Sequence, residues 1–350
     1  MFTVHSFTPA DARELAEFIN WMRTEHWSLT STAFARRPEP VPLVQPVDLV
    51  AAGQTPAHID TVMLRHHGRI VSVLRLDDRY GDGRVAVFSQ VETHPAYQRR
   101  GTAWRFLGNR CMRRACATGY ERLEAETWPL NRKGIPLYKR VGFRGVPGTS
   151  LYLENYLPLI RRHPAAQPFF ARYDFLRTLQ VRRSYGHDAV LLDGLELFEY
   201  EWRRGDAELR VQVDWQRQQI VGVGTRQFSL RCRRTERQPE FVFYRITNTS
   251  PETVAVAVST EERCAQTPIR RSLLPAQTIG GQLRLVRPDG RSLVTCLIGG
   301  YSIPLALRAC APACPGRPCA AGPRRTGKPV AVGAGPSAPH RGTKAYRVAR

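Results

Sequence analysis

The sequence predicts an α+β fold for the first 155 residues and an antiparallel β-sandwich for a region that follows. Apolar and polar residues alternate with the period of two that is typical of strands in three closely spaced stretches, 60–65, 70–76 and 85–93. Apolar residues recur every three or four positions in two other stretches, 9–22 and 101–118, as they do in amphipathic helices. Short turns between the three strands favour an antiparallel meander, and helices around such a meander indicate an α+β arrangement.

The first helix follows a short strand at residues 3–7 and has a recognisable start. Thr8 is placed to cap it, Pro9 stands at its first helical position, and Asp11 follows three residues after the cap. The apolar face of this helix is formed by Leu15, Phe18, Ile19 and Met22. We expect this face to pack on one side of the meander.

A strand, a small turn and a helix meet in the stretch 89–103. The strand stops at His94-Pro95, and the turn Gln98-Arg99-Arg100-Gly101-Thr102-Ala103 leads directly into the helix. Unpaired backbone N–H groups converge at a helix N-terminus, where the helix dipole adds partial positive charge. Gly101 allows the backbone to approach a ligand closely. The junction therefore predicts an anion-binding site.

A second strand–helix–strand segment follows Gly119, which is placed to end the preceding helix. Residues 123–128 read as the fifth strand, and 131–141 as a short helix whose first turn is disturbed by Pro136. Phe143 then begins a further strand. The predicted order is β–α–β–β–β–α–β–α–β.

Two motifs in this order resemble the GNAT family of acetyl-CoA-dependent N-acetyltransferases. The pyrophosphate turn of that family has Gln or Arg three residues before a Gly and a Gly or Ala two residues after it, and Gln98, Gly101 and Ala103 fit. The second motif, N-x-x-(A/G)-x-x-L-Y-x-x-x-G-F, is met by Asn131, Gly134, Leu137, Tyr138, Gly142 and Phe143. The resemblance covers residues 3–155, and it implies a mixed central sheet flanked by helices.

The resemblance implies acetyl-CoA as co-substrate. Gln98 and the backbone N–H groups of the turn would hold the pyrophosphate of coenzyme A, the latter from Arg99, Arg100, Gly101, Thr102 and Ala103. The pantetheine arm would run along the fourth strand beside Val91 and Thr93. Asn131 would hydrogen-bond the same arm.

The reaction that the resemblance implies is direct attack of an amine on the thioester in a ternary complex. A backbone N–H near Val91 would stabilise the oxyanion, and Tyr138, at the position of the usual general acid in the family, would protonate the departing thiolate. The alternative for Tyr138 is packing between the last helix and the sheet.

The family motif assigns no general base. Glu92 is the only carboxylate on the fourth strand, and from there it could direct a water toward the amine. Its alternative is a solvent-facing strand residue. Glu124 and Glu126 on the fifth strand are weaker candidates.

The remaining chain is divided by composition. Residues 156–186 are interpreted as a helical connector, with a helix at 169–180. Short alternating strands separated by turn signals across 187–301 predict a β-sandwich that loosely resembles immunoglobulin-like modules. Residues 302–350 contain no acidic residue and much Pro, Gly, Ala and Arg, which favours a disordered basic tail. Translation of a shifted reading frame is the alternative explanation of this segment.

Composition narrows the function classes. The net charge of +22 divides into +6 for residues 1–155, +7 for 156–300 and +9 for 301–350, so no basic stripe for specific nucleic-acid binding is expected. There is no membrane-spanning run of about 18 apolar residues and no secretion signal, which makes the cytoplasm the expected compartment. The last three of the eight cysteines have a spacing that is poor for zinc, and no metal is expected.

The leading hypothesis is therefore an N-acetyltransferase that uses acetyl-CoA and an amine-bearing acceptor. The main alternative is a module that binds or senses acyl-CoA without efficient turnover. A protein associated with nucleic acid through its basic tail is the third hypothesis. The sequence does not select among possible acceptors, and homo-oligomer formation stays open.

Overall fold

The structure is a computed structural model of the 350-residue chain. It describes residues 1–27, 43–127, 131, 134–149, 152–181, 187–235, 237–238, 240–260, 269–285 and 291–308. The predictions for residues 309–350, including both explanations of the C-terminal segment, lie outside the described residues.

The first region is built on a mixed seven-stranded sheet with the order β1-β2-β3-β4-β5-β7-β6. Its strands are β1 (Phe2–Ser6), β2 (His58–His66), β3 (Arg69–Asp78), β4 (Val85–Thr93), β5 (Arg122–Glu126), β6 (Arg144–Gly145) and β7 (Tyr152–Asn155). All neighbouring strands are antiparallel except β4 and β5, which are parallel. The α+β class, the mixed central sheet and the predicted meander are thereby confirmed.

Helices cover both faces of this sheet. They are α1 (Ala12–Trp21), α2 (Pro46–Gly53), α3 (Asn109–Ala117), α4 (Gly134–Arg140), α5 (Leu157–Arg162) and α6 (Gln167–Phe170). A π-helical segment, Met22–Trp27, continues α1, and another, Ala103–Gly108, leads into α3. The apolar face predicted for α1 packs on one side of β2 and β3, against Met63 and Val73. The other side of the sheet belongs to a second core that includes Cys111 and Met112 of α3.

The second region contains two antiparallel sheets, with the orders β16-β13-β12-β11-β10-β9-β8 and β15-β14-β17-β18. The strands of the larger sheet are β8 (Val190–Leu192), β9 (Leu195–Arg204), β10 (Ala207–Asp214), β11 (Gln219–Thr225), β12 (Phe228–Arg234), β13 (Phe241–Asn248) and β16 (Thr278–Arg284). Those of the smaller sheet are β14 (Val254–Thr260), β15 (Ile269–Leu273), β17 (Arg291–Ile298) and β18 (Tyr301–Arg308). Antiparallel β structure is therefore confirmed for this region, and the immunoglobulin-like arrangement stays a prediction.

The start of the predicted tail at residue 302 is wrong. Strand β18 continues to Arg308 and pairs with β17 over its whole length. Ile303, Leu305 and Leu307 alternate along it and are completely buried. Pro304 interrupts the polar side of this alternation, and its carbonyl accepts a hydrogen bond from His163 Nε2 at 2.8 Å. The composition of the following residues concealed the strand.

The helix predicted at residues 169–180 is also wrong, because α6 ends at Phe170. Asp174 Oδ1 accepts hydrogen bonds from the backbone N–H groups of Leu176 and Arg177, both at 3.0 Å, which favours a turn over a continuous helix. The segment then runs beside β9, where Gln180 N donates to Glu201 O at 2.8 Å. The apolar residues of this segment are buried, as the pattern predicted, but they lie beside strand β9 and not on a continuous helix.

The two regions share one apolar core. Trp202 of β9 is completely buried, packs edge-on against Phe170 with 5.2 Å between the ring centroids, and donates from Nε1 to Phe175 O at 2.7 Å. The hydroxyl of Tyr156, which follows β7, lies 3.2 Å from the carbonyl oxygen of Trp215. The β-rich region therefore packs directly on the first region.

Gly142 ends α4 and gives the first testable prediction. Its φ of +95° is unfavourable for other residues, and an added Cβ would lie 2.8 Å from Leu157 Cδ1. Gly148 has a φ of +70° but nothing within 4 Å of an added Cβ. Gly142→Ala should therefore lower the free energy of unfolding by about 2 to 4 kcal/mol, and Gly148→Ala by about 1 to 2 kcal/mol.

Urea denaturation of both variants measures this difference. Equal losses of stability for the two variants would show that the contact with Leu157 has no energetic role.

Candidate functional site

The pairing between β4 and β5 stops after three residue pairs. Val85, Ala86 and Val87 pair with Arg122, Leu123 and Glu124, respectively. Strand β4 nevertheless continues to Thr93 along β3. From Phe88 onward, the edge of β4 that faces β5 has no strand partner in the described part of the chain. We call the space beside this edge the β4–β5 gap.

The register of β3 and β4 shows which backbone groups face the gap. His94 N donates to Val71 O at 2.9 Å. In an antiparallel ladder, hydrogen-bonded pairs alternate with non-hydrogen-bonded pairs, so the two pairs Leu74–Val91 and Ser72–Thr93 are of the second kind. The backbone N–H and C=O groups of Val91 and Thr93 therefore point away from β3, toward the gap.

The predicted anion turn contains two residues with a left-handed backbone conformation. Arg99 and Gly101 have φ angles of +60° and +72°. Thr102 is buried, and its Oγ1 donates to Tyr97 O at 3.0 Å, which closes the turn onto a short 3₁₀ helix, Pro95–Tyr97. No loop carbonyl among the described residues accepts a backbone hydrogen bond from Arg99, Arg100 or Gly101. These amides are available to a ligand.

The side chains of the turn separate into anchoring and exposed groups. Gln98 Nε2 donates to Thr93 O at 2.8 Å and so ties the turn to the end of β4. Arg99 and Arg100 are exposed, and the Arg100 guanidinium lies 5.9 Å from the centroid of the Tyr97 ring. Ala103 begins the helical segment, as predicted.

Tyr138 lies on α4, on the side of the sheet that also carries Phe88. It is 7% exposed and packs against Phe143 and Phe88, with centroid distances of 5.6 and 6.5 Å. Burial raises the pKa of its phenol to about 12. Its hydroxyl has no hydrogen-bond partner among the described residues. Tyr138 therefore packs against the sheet, and it also has a protonated hydroxyl that makes no hydrogen bond to the described residues.

Glu92 lies on the opposite side of the sheet from Tyr138. Its direct partner on β3 is Val73, which packs with Met22 at the end of α1. The glutamate is only 7% exposed, so the alternative of a solvent-facing side chain is wrong. On this side of the sheet, α1 and Met22 pack with Val73, the direct neighbour of Glu92, and the charge of Arg23 acts on the carboxylate.

The carboxylate of Glu92 is incompletely satisfied. Its Oε1 accepts from Gln90 Nε2 at 3.0 Å, and its buried Oε2 has no hydrogen-bond partner among the described residues. Burial raises the pKa of Glu92 to about 7, although the hydrogen bond from Gln90 and the charge of Arg23 oppose the shift. A carboxylate with this pKa can accept a proton near neutral pH.

Asn131 is already used by the protein. Its Oδ1 accepts from Gly134 N at 2.8 Å and caps the start of α4, and its Nδ2 donates to Thr127 Oγ1 at 2.8 Å. One N–H of the amide remains for a ligand. Asn131 thus orients the helix that carries Tyr138, a role that the motif alone did not indicate.

Sequence reasoning missed two residues that support this site. Gln90 holds Glu92, and Ser72 is completely buried with its Oγ 2.7 Å from Glu92 O and 2.7 Å from Thr93 Oγ1. Ser89 is an extra residue between the pairs Leu76–Phe88 and Arg75–Gln90, a β-bulge that reverses the alternation along β4. This reversal places Gln90 and Glu92 on the side opposite Phe88, and it cannot be recognised without the register.

The weaker base candidates are engaged elsewhere. Glu124 is completely buried and accepts from Arg122 Nη2 at 2.7 Å, while Glu126 pairs with Arg79. Neither has an unsatisfied oxygen of the kind found on Glu92. Among the described residues, no group of three or more His, Cys, Asp and Glu side chains could hold a metal ion.

A cavity of about 250 Å³ lies between Arg144 and strands β9 and β10, and none of the predicted site residues lines it.

Within the described ranges, no helix is both long and apolar enough to cross a membrane.

The pKa of Glu92 predicts how stability depends on pH. Because this pKa is about 7 in the folded protein and 4.5 when unperturbed, the folded state binds the additional proton between these values. The free energy of unfolding should therefore fall as the pH rises from 5 to 8. Glu92→Gln cannot ionise, so its stability relative to wild type should increase over this range by up to about 3 kcal/mol.

Denaturant unfolding at several pH values measures this change. Glu126→Gln is the matched control, since its carboxylate is 60% exposed, and it should leave the pH dependence of wild type intact. A Glu92→Gln variant whose stability stays parallel to that of wild type would contradict the buried carboxylate.

Comparison with known proteins identifies the first region. Residues 21–143 match the profile of the acetyltransferase (GNAT) family, which is about a third of the chain. A search of curated proteins found no match.

Similar solved structures include a putative acetyltransferase, YncA, from Salmonella typhimurium with its cofactor acetyl-CoA (20% identity, 45% of this chain, 94% of that chain, TM-score 0.35). Another is the ribosomal-protein-S18-alanine N-acetyltransferase from Escherichia coli (16% identity, 44% of this chain, 93% of that chain, TM-score 0.32). A third is the PaiA N-acetyltransferase from Thermoplasma acidophilum with coenzyme A (11% identity, 45% of this chain, 99% of that chain, TM-score 0.34). At these values the family profile, and not the individual structures, carries the assignment. Residues 21–143 form a GNAT acetyltransferase domain.

Proposed function

We propose that this protein is an N-acetyltransferase that transfers an acetyl group from acetyl-CoA to a primary amine. The observation that carries the proposal is the open edge of β4 between the anion turn and α4. Backbone groups of Val91 and Thr93 face the β4–β5 gap and can bind an extended arm as an added strand would. The family match of residues 21–143 supports the same reaction class.

The chain offers coenzyme A two kinds of contact. The amides from Arg99 to Ala103 bind the pyrophosphate, and the dipole of the helix that begins at Ala103 adds to this attraction. Val91 and Thr93 bind the pantetheine arm through their backbone, with the remaining N–H of Asn131 as a further donor. Bound in this way, acetyl-CoA supplies an activated acetyl thioester within the gap.

Glu92 and Tyr138 then act from opposite sides of the sheet. Glu92 accepts the proton of the attacking amine, directly or through a water, because its buried and partly unsatisfied carboxylate has a pKa of about 7. The N–H of Val91 stabilises negative charge on the thioester oxygen. Proton removal and proton delivery thus occur on separate sides of the reacting carbon.

Tyr138 donates its proton to the departing sulfur. Its pKa of about 12 keeps the phenol protonated throughout the neutral range. A thiolate that leaves into the same apolar surroundings is also more basic than in water. The completely buried Cys111 illustrates the effect, since burial raises the pKa of its thiol well above the usual value.

The division of labour along the chain is part of this proposal. Residues 1–155 form the catalytic domain, 156–186 connect it to the β-rich region, and that region supports substrate choice or association. The described strand β18 extends the β-rich region to Arg308.

Release of coenzyme A thiol from acetyl-CoA with a panel of amines tests the reaction. The panel contains a polyamine, an aminoglycoside, an amino acid and a peptide N-terminus. Tyr138→Phe and Glu92→Gln should each lower kcat by about 100-fold, because each removes one proton-transfer group. Tyr173→Phe, which changes a half-buried tyrosine of the connector, should leave kcat unchanged.

The pH dependence of kcat tests whether Glu92 is the base. In wild type, kcat should rise with pH through about 7 as Glu92 loses its proton, and Glu92→Gln should lose this part of the profile. Tight acetyl-CoA binding without turnover of any amine would instead support a binding module. Full activity of Tyr138→Phe would exclude the acid role.

A further inference from the structure

The residue next to the proposed acid is a buried lysine. Lys139 on α4 is 2% exposed, and its ammonium pairs with the carboxylate of Asp188, which is 1% exposed at the side-chain level. Asp188 is 49 residues further along the chain and precedes β8 of the β-rich region. Both charged groups are therefore removed from water and depend on each other.

Asp188 also binds the strand that follows α4. Its Oδ2 accepts from Gly145 N at 2.6 Å, and its own backbone N donates to Gly145 O at 3.1 Å. One aspartate thus joins the last turn of α4 to β6, on both sides of the turn at Gly142. A second contact from the β-rich region reaches the same strand, since Arg144 Nη2 donates to Glu199 O at 3.2 Å.

The covalent connection between α4 and β6 is not enough to fix the position of the helix relative to the strand. The helix has only seven residues, and a helix of this length has little stability of its own. Its start is capped by Asn131, and at its end Val141 O accepts from Asn155 Nδ2 at 2.7 Å. Between these ends, Lys139 provides a charged attachment one residue from Tyr138.

Because the ion pair between Lys139 and Asp188 is buried, it does not open readily. A surface ion pair can open and be replaced by water, whereas removal of one partner from a buried pair leaves an uncompensated charge. The lysine therefore retains its partner, and the helix retains its place relative to β6.

We propose that Asp188, supplied by the β-rich region, is a positioning residue for acetyl transfer. Through Lys139 and Gly145 it holds α4 so that the hydroxyl of Tyr138 is presented to the β4–β5 gap. This inference rests on the proposed function, in which Tyr138 is the acid. It gives the β-rich region a defined task in catalysis, in addition to its packing.

A double-mutant cycle with Asp188→Asn and Tyr138→Phe tests the inference. The probe is thiol release from acetyl-CoA with the fastest amine of the panel. Asp188→Asn should lower kcat about tenfold, because the acid is displaced, and should leave the Kd for coenzyme A unchanged. In the Tyr138→Phe background the same substitution should have no further effect on kcat, because the group that it positions is absent.

Asp214→Asn separates positioning from general stability. Asp214 is another buried aspartate of the β-rich region, and its two carboxylate oxygens accept hydrogen bonds from the backbone and side chain of Arg217, at 3.0 and 2.8 Å. Its substitution should lower Tm but keep kcat at temperatures where the variant is folded. A comparable loss of kcat in Asp214→Asn would overturn the positioning role.

Hydrogen exchange of residues 134–140 gives a readout that requires no acceptor. Asp188→Asn should accelerate exchange in α4 about tenfold, and Asp214→Asn should not. Unchanged exchange in Asp188→Asn would overturn the inference even if kcat falls.

Different outcomes overturn the proposed acid role of Tyr138 and the proposed positioning role of Asp188. Full activity of Tyr138→Phe overturns the acid role and the positioning role together, as does the absence of turnover with every amine. A loss of activity in Tyr138→Phe, with the same factor lost again on adding Asp188→Asn, overturns the positioning role alone.

Discussion

The parallel pairing of β4 and β5 lasts for only three residue pairs, and the whole site depends on where it stops. Up to Val87 the two strands form a closed sheet, and beyond it the only strand that pairs with β4 among the described residues is β3. An unpaired strand edge in the middle of a sheet has N–H and C=O groups that must be satisfied by a ligand or by water. The anion turn at one end of this edge and α4 beside it then determine which kind of ligand fits.

The chemistry follows from what covers the two sides of this opened sheet. The α1 helix and Met22 pack on the side of the sheet that carries Val73 and Glu92, and burial there raises the pKa of the carboxylate to about 7. Phe88 and Phe143 surround Tyr138 on the other side and keep its phenol protonated. The β-rich region stabilises this second side, because Asp188 and Arg144 connect it to α4 and β6. Apolar packing thus produces the difference between the proposed base and the proposed acid.

Local features of the site could be predicted from the sequence. The turn at Gly101, the existence of strand β4 and the periodicity of α1 each depend on a few neighbouring residues, and all three appear in the structure. Features that depend on distant residues could not be predicted. The burial of Glu92 requires α1 to lie over it, and the bond between Lys139 and Asp188 joins residues that no local pattern relates. Strand β18 was missed because a composition change overlaps its alternation.

The central claim is that the open edge of β4 and the turn after it bind coenzyme A. Amide hydrogen exchange, measured with and without saturating coenzyme A, tests this claim most directly. The account predicts that exchange slows about tenfold or more at Val91, Thr93 and the amides from Arg99 to Ala103, while β2 amides change little. Binding of coenzyme A with unchanged exchange at Val91 and in this turn would contradict it.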